Sequence, residues 1–245
     1  MLYIESPLGG VYMRISVLSV GGSIIAPDKV NSTFLSGFLA KIRQYLSDNP
    51  EDKLIFVCGG GAPARVYQQA YREVITDPNE QDANAQDWIG IKATHINAEL
   101  VKAIFGDLCK DKVVTNPTAD DVSFTGRILV AGGWKPGFST DTDAVYLAKR
   151  FGAKKIINLS NIAKVYTDDP RKNPDAKPID SISWADFRKM VGDEWVPGKN
   201  APFDPIASKL AQEAGITVIC ADGRATENTI SILTDKQFTG TVIGG

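Results

Sequence analysis

Short apolar runs alternate with longer amphipathic segments along this chain. Runs of strand length that are apolar throughout are typical of strands buried on both faces of a parallel sheet. The pattern predicts such strands at residues 15–20, 54–58, 112–115, 127–131, 155–159 and 216–221. A last short strand around Val242 follows Gly240 and is predicted to close a hairpin.

Apolar residues at helical spacing occupy the intervals between these runs, as from Phe34 to Leu46. Helix starts are predicted by capping residues and first-turn prolines near Ala62, Ser183 and Asp204, and by the pattern alone near Ile89 and Asp143. The stretches at residues 76–87 and 160–178 are polar and rich in turn residues, so they predict loops.

Strands and helices in alternation predict a mainly parallel sheet that is covered by helices on both faces. In such sheets ligands bind beyond the carboxyl ends of the strands. Residues 13–245 read as a single domain, since no repeat, low-complexity tract or linker interrupts them. Residues 1–12 are an N-terminal extension of unclear status that lacks the cationic start and apolar core of a signal peptide.

Composition and charge narrow the class of protein. The 245 residues are 43% hydrophobic with a formal net charge of −2, so the basic surface of a nucleic-acid-binding protein is not expected. No apolar run approaches the roughly 18 residues of a membrane-spanning helix. Cys58, Cys109 and Cys220 are widely spaced, which predicts free thiols in a reducing, cytoplasmic compartment, those of Cys58 and Cys220 being buried.

Two glycine clusters each follow a predicted strand. Gly21-Gly22-Ser23 follows the first strand, and Gly59-Gly60-Gly61 follows the second. Glycine lets backbone N–H groups approach a phosphate without obstruction by a side chain, and a helix that starts behind the turn adds its dipole. A tight turn alone explains one such cluster, whereas two at one rim predict two phosphate-bearing ligands, or two phosphates of one ligand.

Arg65 lies in the first turn of the helix that is predicted to begin near Ala62. The helix dipole favours an acid there, so a cation indicates an anionic ligand, with a solvated arginine as the alternative. The segment Gly59-x-Gly61-x-x-Ala64 also matches a dinucleotide-binding fingerprint. That motif needs an acid at the end of a second strand, and Glu80 and Asp82 lie in the polar loop instead, which disfavours it.

A third glycine cluster follows the strand at residues 127–131. Residues 132–143, GGWKPGFSTDTD, combine hydroxyls, backbone amides and aromatic rings. These groups suit a base-and-ribose pocket, and they suit an ordinary capped loop equally well. Trp88 and Trp134 are candidate pocket residues, whereas the single histidine, His95, is predicted to lie at the surface or pack on its helix rather than bind a metal.

The order of these motifs resembles the amino-acid kinase superfamily and, within it, the archaeal-type uridylate kinases. The match runs from about Met13 to the C-terminus and includes Asp87-Trp88-Ile89-Gly90-Ile91. Its most specific parts are the segment Asn161-x-x-x-Val165-Tyr166-Thr167-x-Asp169-Pro170 and the segment Asp204-Pro205-Ile206-Ala207-x-Lys209.

The resemblance implies an α/β fold, a three-layer αβα sandwich around a mainly parallel central sheet. It also implies ATP with Mg²⁺ as phosphoryl donor, UMP as acceptor, and a homo-oligomer, usually a hexamer built from dimers. The N-terminal part would bind the acceptor, and the C-terminal part would bind ATP. No protein residue is predicted to ligate a metal directly, and no nucleic acid or membrane partner is expected.

Carried over position by position, the resemblance also assigns site residues. The donor phosphates and the point of transfer would be held by Gly22, Ser23, Gly61 and Arg65. UMP would be bound by Gly60, Asp87, Lys135, Gly137, Thr140 and Thr142, with Asp87 at the ribose. ATP would further contact Ser160, Asn161, Tyr166 and Asp169. The catalytic group would be Arg65 with Asp204 and Lys209 of the late motif.

One departure from the family pattern affects the predicted catalytic cation. Ser19 stands where many superfamily members carry a lysine, two residues before the first Gly-Gly pair. The candidates for a cation near the transferring phosphoryl group are Lys135, Lys164, Lys199 and Lys209. Two alternatives stay open: a kinase for another small acceptor, and a non-catalytic relative that binds a nucleotide or an oxyanion.

Overall fold

A parallel sheet organises the computed structural model, which describes residues 13–170, 172–192 and 201–244. The strands are β1 (Ile15–Val20), β2 (Lys53–Cys58), β3 (Ile128–Ala131), β4 (Lys155–Ser160), β5 (Val165–Tyr166), β6 (Pro178–Ile179), β7 (Ser181–Ile182), β8 (Thr217–Asp222) and β9 (Thr241–Ile243). The helices are α1 (Gly22–Ile25), α2 (Ser32–Asp48), α3 (Gly61–Val74), α4 (Ala83–Phe105), α5 (Thr140–Phe151), α6 (Trp184–Val191), α7 (Pro205–Glu213) and α8 (Thr226–Leu233). Trp195, Lys199 and residues 1–12 lie outside the described residues.

The main sheet has the strand order β3-β2-β1-β4-β8-β9-β7. Neighbouring strands from β3 to β8 are all parallel, with Val20 beside Cys58 and Val57 beside Ala131. The carboxyl ends of β1, β2 and β3 therefore meet at one rim, and the glycine clusters follow all three of them there. Strand β9 runs antiparallel to β8, which confirms the predicted strand around Val242. The predicted hairpin was wrong, because helix α8 lies between β8 and β9.

Helices cover both faces of this sheet and bury alternate strand residues. In β2, Leu54 and Phe56 pack on the face that α2, α4 and α8 cover. Ile55 and Val57 pack on the opposite face, under α5, α6 and α7. This three-layer arrangement confirms the predicted αβα fold class. Among the described residues, no helix combines the length and apolarity that crossing a bilayer requires.

Two predicted boundaries were wrong. The strand predicted at residues 112–115 shrinks to a single bridge between Val114 and Ala131, because few apolar residues surround Val114 and a proline follows shortly. The loop predicted at residues 76–87 ends early, since the Asp82 side chain accepts the Asn84 amide and starts α4 at Ala83. Asp87 consequently lies on a helix.

Several local predictions were confirmed. Ser183 caps α6 by accepting the Asp186 amide at 3.1 Å, and Asp204 caps α7 by accepting the Ala207 amide at 2.8 Å. The cysteines Cys58 and Cys220 are buried and free, as is Cys109.

Candidate active site

The turns after β1 and β2 touch each other through backbone atoms. A Cβ atom added to Gly22 would lie 2.0 Å from the Gly61 nitrogen, and one added to Gly59 would lie 2.4 Å from the Gly22 nitrogen. Gly61 has a φ of +66°, and its added Cβ would lie 2.3 Å from the Gly22 carbonyl oxygen. Only glycine fits at these positions. We call this contact the glycine junction (Gly22, Gly59 and Gly61), and it confirms that both turns share one rim.

Helices α1 and α3 begin at the glycine junction, and no side chain caps either of them. Asn97 of α4 donates to the carbonyl oxygens of Gly59 at 2.7 Å and Gly60 at 3.1 Å. The second turn is thus held through its carbonyls. In the first turn of α3 the Ala62 N–H donates to the Ala26 carbonyl oxygen at 2.8 Å and Pro63 has no N–H, so the Gly61 amide is left available to an anion.

A cavity of about 360 Å³ opens beside the second glycine turn. Its walls bring together predicted residues from three segments, namely Gly60, Gly61, Arg65, Asp87 and Thr140. Arg65 is exposed, and its Nη2 donates to the Pro27 carbonyl oxygen at 2.8 Å, which ties the side chain to the segment after α1.

The β3–α5 loop (residues 132–139) forms another wall of this cavity. Side chains of α4 hold the loop backbone: Thr94 Oγ1 accepts the Gly133 N–H at 2.7 Å, and His95 Nε2 lies 2.7 Å from the Gly133 carbonyl oxygen. Asp87 Oδ2 accepts the Gly137 N–H at 3.0 Å. His95 therefore has the packing role that was one of its two predicted roles, and Asp87 links α4 to the loop.

Lys135 lies in an aromatic cluster of this loop. Its ammonium group is 3.9 Å from the centre of the Trp134 ring and 4.8 Å from that of Phe138. The Trp134 ring in turn contacts Tyr146 of α5. Trp88 is 44% exposed, with the Lys92 ammonium over its ring. Among the described residues, Phe138 is the aromatic side chain of this group that lines the cavity.

A pair of carboxylates lies where β1 ends. Asp141 Oδ1 accepts the Ser19 hydroxyl at 3.0 Å, and its Oδ2 accepts the Asp204 N–H at 3.2 Å. Burial, and then the charge of Asp204, raise the pKa of Asp141 to about 6. Thr142 is buried, and its hydroxyl donates to Asp204 at 3.4 Å. The pair forms a locally negative site at the rim.

The residues predicted to contact ATP lie at the end of β4 and after it, on the other side of the first glycine turn. The Gly21 N–H donates to the Leu159 carbonyl oxygen at 2.8 Å, which places Ser160 beside this turn. Asn161 comes next, and its carbonyl oxygen accepts Arg224 Nη2 at 3.4 Å. Tyr166 lies in β5, and Asp169 follows that strand.

The candidate lysines do not converge on the cavity. Lys164 forms an ion pair with Asp180, and Lys135 lies over its aromatic rings. Lys209 is exposed on α7, and Lys199 lies outside the described residues. Within the part of the chain that the structure describes, Arg65 is the cation that lines the cavity.

The sequence profile of the amino acid kinase family matches residues 14–222 of this chain. The chain belongs to the amino acid kinase family.

Two curated relatives are similar to the chain over most of its length. The uridylate kinase of Methanospirillum hungatei is 35% identical over 229 residues, which is 93% of either chain. The uridylate kinase of Pyrococcus abyssi is 33% identical over 206 residues, 83% of this chain and 88% of the relative.

Solved structures of the family share the fold. The crystal structure of the uridylate kinase from Archaeoglobus fulgidus matches with a TM-score of 0.78 and 29% identity, covering 93% of this chain and 99% of that one. The UMP kinase from Bacillus anthracis matches with a TM-score of 0.73 at 19% identity, covering 94% and 96%.

Several residues that shape the site were not predicted from the sequence. Thr94 and Asn97 are buried polar residues of α4 that hold the glycine turn and the β3–α5 loop. Asp141 and Asp143 of α5 were predicted only as members of the third glycine cluster, near a helix start, with no role of their own. The polar side chains among the apolar residues of α4 could have predicted these contacts, since a buried polar group requires a hydrogen-bond partner.

Proposed function

We propose that this protein transfers the terminal phosphoryl group of ATP to UMP and so forms ADP and UDP. The observation that carries the proposal is the glycine junction, because it puts two helix N-termini that no side chain caps in contact at one rim. The similarity to named uridylate kinases over 93% of the chain supports UMP over another small acceptor.

In the proposed arrangement each turn holds one partner of the reaction. Gly22 and Ser23 hold the ATP phosphates, and Gly60 and Gly61 with Arg65 hold the UMP phosphate. Phosphoryl transfer requires alignment and charge neutralisation more than covalent help from the protein. The attacking atom is a phosphate oxygen that carries no proton near neutral pH, so the site does not depend on a general base.

The cavity beside the second turn is the proposed acceptor site. Asp87 Oδ2 holds the Gly137 amide, and Oδ1 has no donor among the described residues, so it is placed to accept a ribose hydroxyl. Thr140 lines the same cavity, and Gly137 has a φ of +81° that keeps the loop turned beside Asp87. In this arrangement Lys135 and Thr142 do not line the cavity, and they support the residues that do.

Mg²⁺ is the proposed metal cofactor, and the donors of the carboxylate pair fit it. Asp141, Asp204 and Ser19 offer oxygen ligands, which Mg²⁺ prefers, and the ion usually binds through one or two carboxylates together with substrate phosphates. No described group of three acidic, histidine or cysteine side chains could hold a metal by itself. The bound ion would neutralise charge on the phosphates, at the rim where Ser19 replaces a lysine.

On the donor side, we propose that the nucleotide contacts are Ser160, Asn161, Tyr166 and Asp169. The hydrogen bond from Gly21 to Leu159 supports this, because it joins the end of β4 to the first glycine turn. Asp204 contributes by fixing Asp141 and Thr142 at the start of α5. Lys209, one turn further along α7, is the proposed cation of the late motif.

A coupled assay of ADP release tests the function. The acceptors to compare are UMP, CMP, AMP, carbamate, glutamate and a simple phosphonate, each with and without Mg²⁺. We expect Mg²⁺-dependent turnover with UMP well above all the others. Turnover with a different acceptor would redirect the proposal to that substrate, and turnover with none would favour a non-catalytic binder.

We further propose that the chain forms a homo-oligomer. Large apolar side chains stay exposed on α3 and α4, among them Tyr67 at 69%, Val74 at 77% and Ile96 at 69%. Exposed apolar surface of this kind is typical of protein interfaces. Light scattering on the purified chain should give a mass above 26.5 kDa, and a monomer would contradict the proposal.

The cytoplasm is the proposed compartment. Cys58, Cys109 and Cys220 are free and buried, as expected for a protein that functions under reducing conditions. Fractionation of the source cells would test this placement.

A further inference from the structure

A fully buried carboxylate lies behind the wall of the proposed acceptor site. Asp143 is 0% exposed in the first turns of α5. Its Oδ2 accepts the Trp134 N–H at 3.1 Å, whereas Oδ1 has no hydrogen-bond partner within the described residues. Burying a carboxylate with so little compensation is costly. Core packing alone therefore does not account for an acid at this position.

The contact that Asp143 makes is on the β3–α5 loop, next to the residue that α4 holds. Thr94 and His95 hold Gly133 from α4, and Asp143 holds the adjacent Trp134 amide from α5. Gly133 and Phe138 line the cavity. The loop backbone is thus fixed from two helices where it forms the cavity wall, and Asp143 supplies the contact from the α5 side.

We propose that Asp143 is a positioning residue that fixes the β3–α5 loop in the conformation that binds the acceptor. The inference rests on the proposed function for its kinetic consequences and on the hydrogen bond to Trp134 for its structural ones. Without this bond the loop samples other conformations. The apparent affinity for UMP then falls in proportion to the fraction of competent loop.

The effect should be confined to the acceptor. Among the described residues, Asp143 forms no hydrogen bond with the first glycine turn or the segment after β4, which are the proposed ATP side, and it interacts with the proposed Mg²⁺ donors only through the charge of Asp141. Once UMP saturates the enzyme, the loop is held by the ligand and turnover recovers. The loss therefore appears in the KM for UMP and not in kcat or in the KM for ATP.

Two substitutions separate the hydrogen bond from the charge. Asp143→Asn keeps a carbonyl oxygen that can accept the Trp134 amide, whereas Asp143→Val is of similar size and accepts nothing. We expect Asp143→Val to raise the KM for UMP about tenfold, because a buried amide loses its partner, with kcat and the KM for ATP within about twofold of the wild-type values. Asp143→Asn should retain the wild-type KM for UMP. Asp143→Ala gives the same prediction as Asp143→Val should the latter not fold.

Hydrogen exchange without nucleotide tests the loop independently of any activity. Peptides that cover residues 132–138 should exchange about tenfold faster in Asp143→Val, since one buried hydrogen bond is lost, and at the wild-type rate in Asp143→Asn. Thr229→Val is the matched control: it removes a buried hydroxyl that also lacks a partner, but in α8, on the opposite face of the sheet from α5, and should change neither measurement.

The two measurements distinguish failure of this inference from failure of the proposed function. A wild-type enzyme that does not phosphorylate UMP would defeat the function, while exchange in residues 132–138 would still decide the role of Asp143. Unchanged exchange and an unchanged KM for UMP in Asp143→Val would overturn the inference. Faster exchange in residues 132–138 together with a raised KM for UMP in Asp143→Asn would also overturn it, because the contact with the Trp134 amide would then depend on the charge of Asp143.

Discussion

The glycine junction and the β3–α5 loop border the same cavity, and they are fixed by different means. At the junction, backbone meets backbone, and an added Cβ would lie 2.0–2.4 Å from the backbone of the facing turn. In the loop, side chains from α4 and α5 reach the amides of Gly133, Trp134 and Gly137. The junction admits one residue type, whereas each loop contact can be varied by substitution.

This difference separates two requirements of a phosphotransferase. Alignment of donor and acceptor phosphates is the same for every acceptor, so it suits a rigid backbone contact. Recognition of the acceptor differs between enzymes, and it suits a loop that exchangeable side chains hold. The comparison predicts severe effects from changes at the junction and graded effects, confined to one substrate, from changes at the loop.

Substitution of Gly22 should produce the largest effect. In Gly22→Ala the added Cβ meets Gly61 backbone at 2.0 Å, and separating the turns misaligns both phosphate sites. We expect kcat/KM to fall by more than about three orders of magnitude, because a misplacement of about 1 Å already costs about a hundredfold, and stability to fall by about 1–3 kcal/mol. Steady-state kinetics and urea unfolding measure the two losses.

Gly37→Ala is the matched control for this experiment. A Cβ added to Gly37 of α2 meets nothing within 4 Å. It should leave activity unchanged and raise stability by about 0.5–1 kcal/mol, the helix propensity difference between glycine and alanine. Near-normal turnover in Gly22→Ala would mean that the junction does not align the phosphates.

The junction was predictable from sequence because glycine at successive positions constrains the backbone directly. Gly22, Gly60 and Gly61 were predicted at one rim, and the structure places them in contact. The cap of α7 by Asp204 was predictable for a similar reason, since the acid and the proline after it act within one turn. The roles of these residues in catalysis stay predictions.

The loop contacts could not be read from the sequence. Thr94 and Gly133 are 39 residues apart in the sequence, and Asn97 and Gly59 are 38 residues apart. Only the fold brings these groups together, and no local pattern encodes the pairing. Asp143 had a plausible local explanation as an acid near a helix start, so its burial and its bond to Trp134 emerged only from the structure.

Arg65 lines the cavity beside the glycine junction, and its removal should have the second-largest effect. Arg65→Ala should lower kcat/KM about a hundredfold, because a cation about 4 Å from a phosphate oxygen contributes on the order of 4 kcal/mol, only part of which is specific to the transition state. Arg72→Ala is the control, since it removes the same charge from the same helix, away from the cavity. Equal kinetics for both variants would remove Arg65 from the site.

The smallest predicted effect is a pH dependence of stability that comes from Asp143. It sharpens the comparison between the two regions, because the glycine junction contains no side chain that titrates. Burial, opposed by the Trp134 amide, raises the pKa of Asp143 to about 7. The folded state therefore holds this proton more tightly than the unfolded state does, for which the carboxyl pKa is about 3.9. By linkage, the free energy of unfolding decreases as pH rises from about 4 to about 7.

Asp143→Asn removes this dependence while it keeps the hydrogen bond to Trp134. The free energy of unfolding of the variant, relative to the wild type, should therefore increase between pH 5 and pH 8 by on the order of 2 kcal/mol, since each unit of pKa difference corresponds to about 1.4 kcal/mol. Urea titrations at both pH values, with EDTA present to keep metal away from Asp141, measure the difference. The charge of Asp141 is one of the causes that raise the pKa of Asp143, so the measured difference belongs to the two carboxyls as a coupled pair. A difference that does not vary with pH would show that Asp143 is ionised in the folded state throughout, and that the loop is held by a charged acceptor.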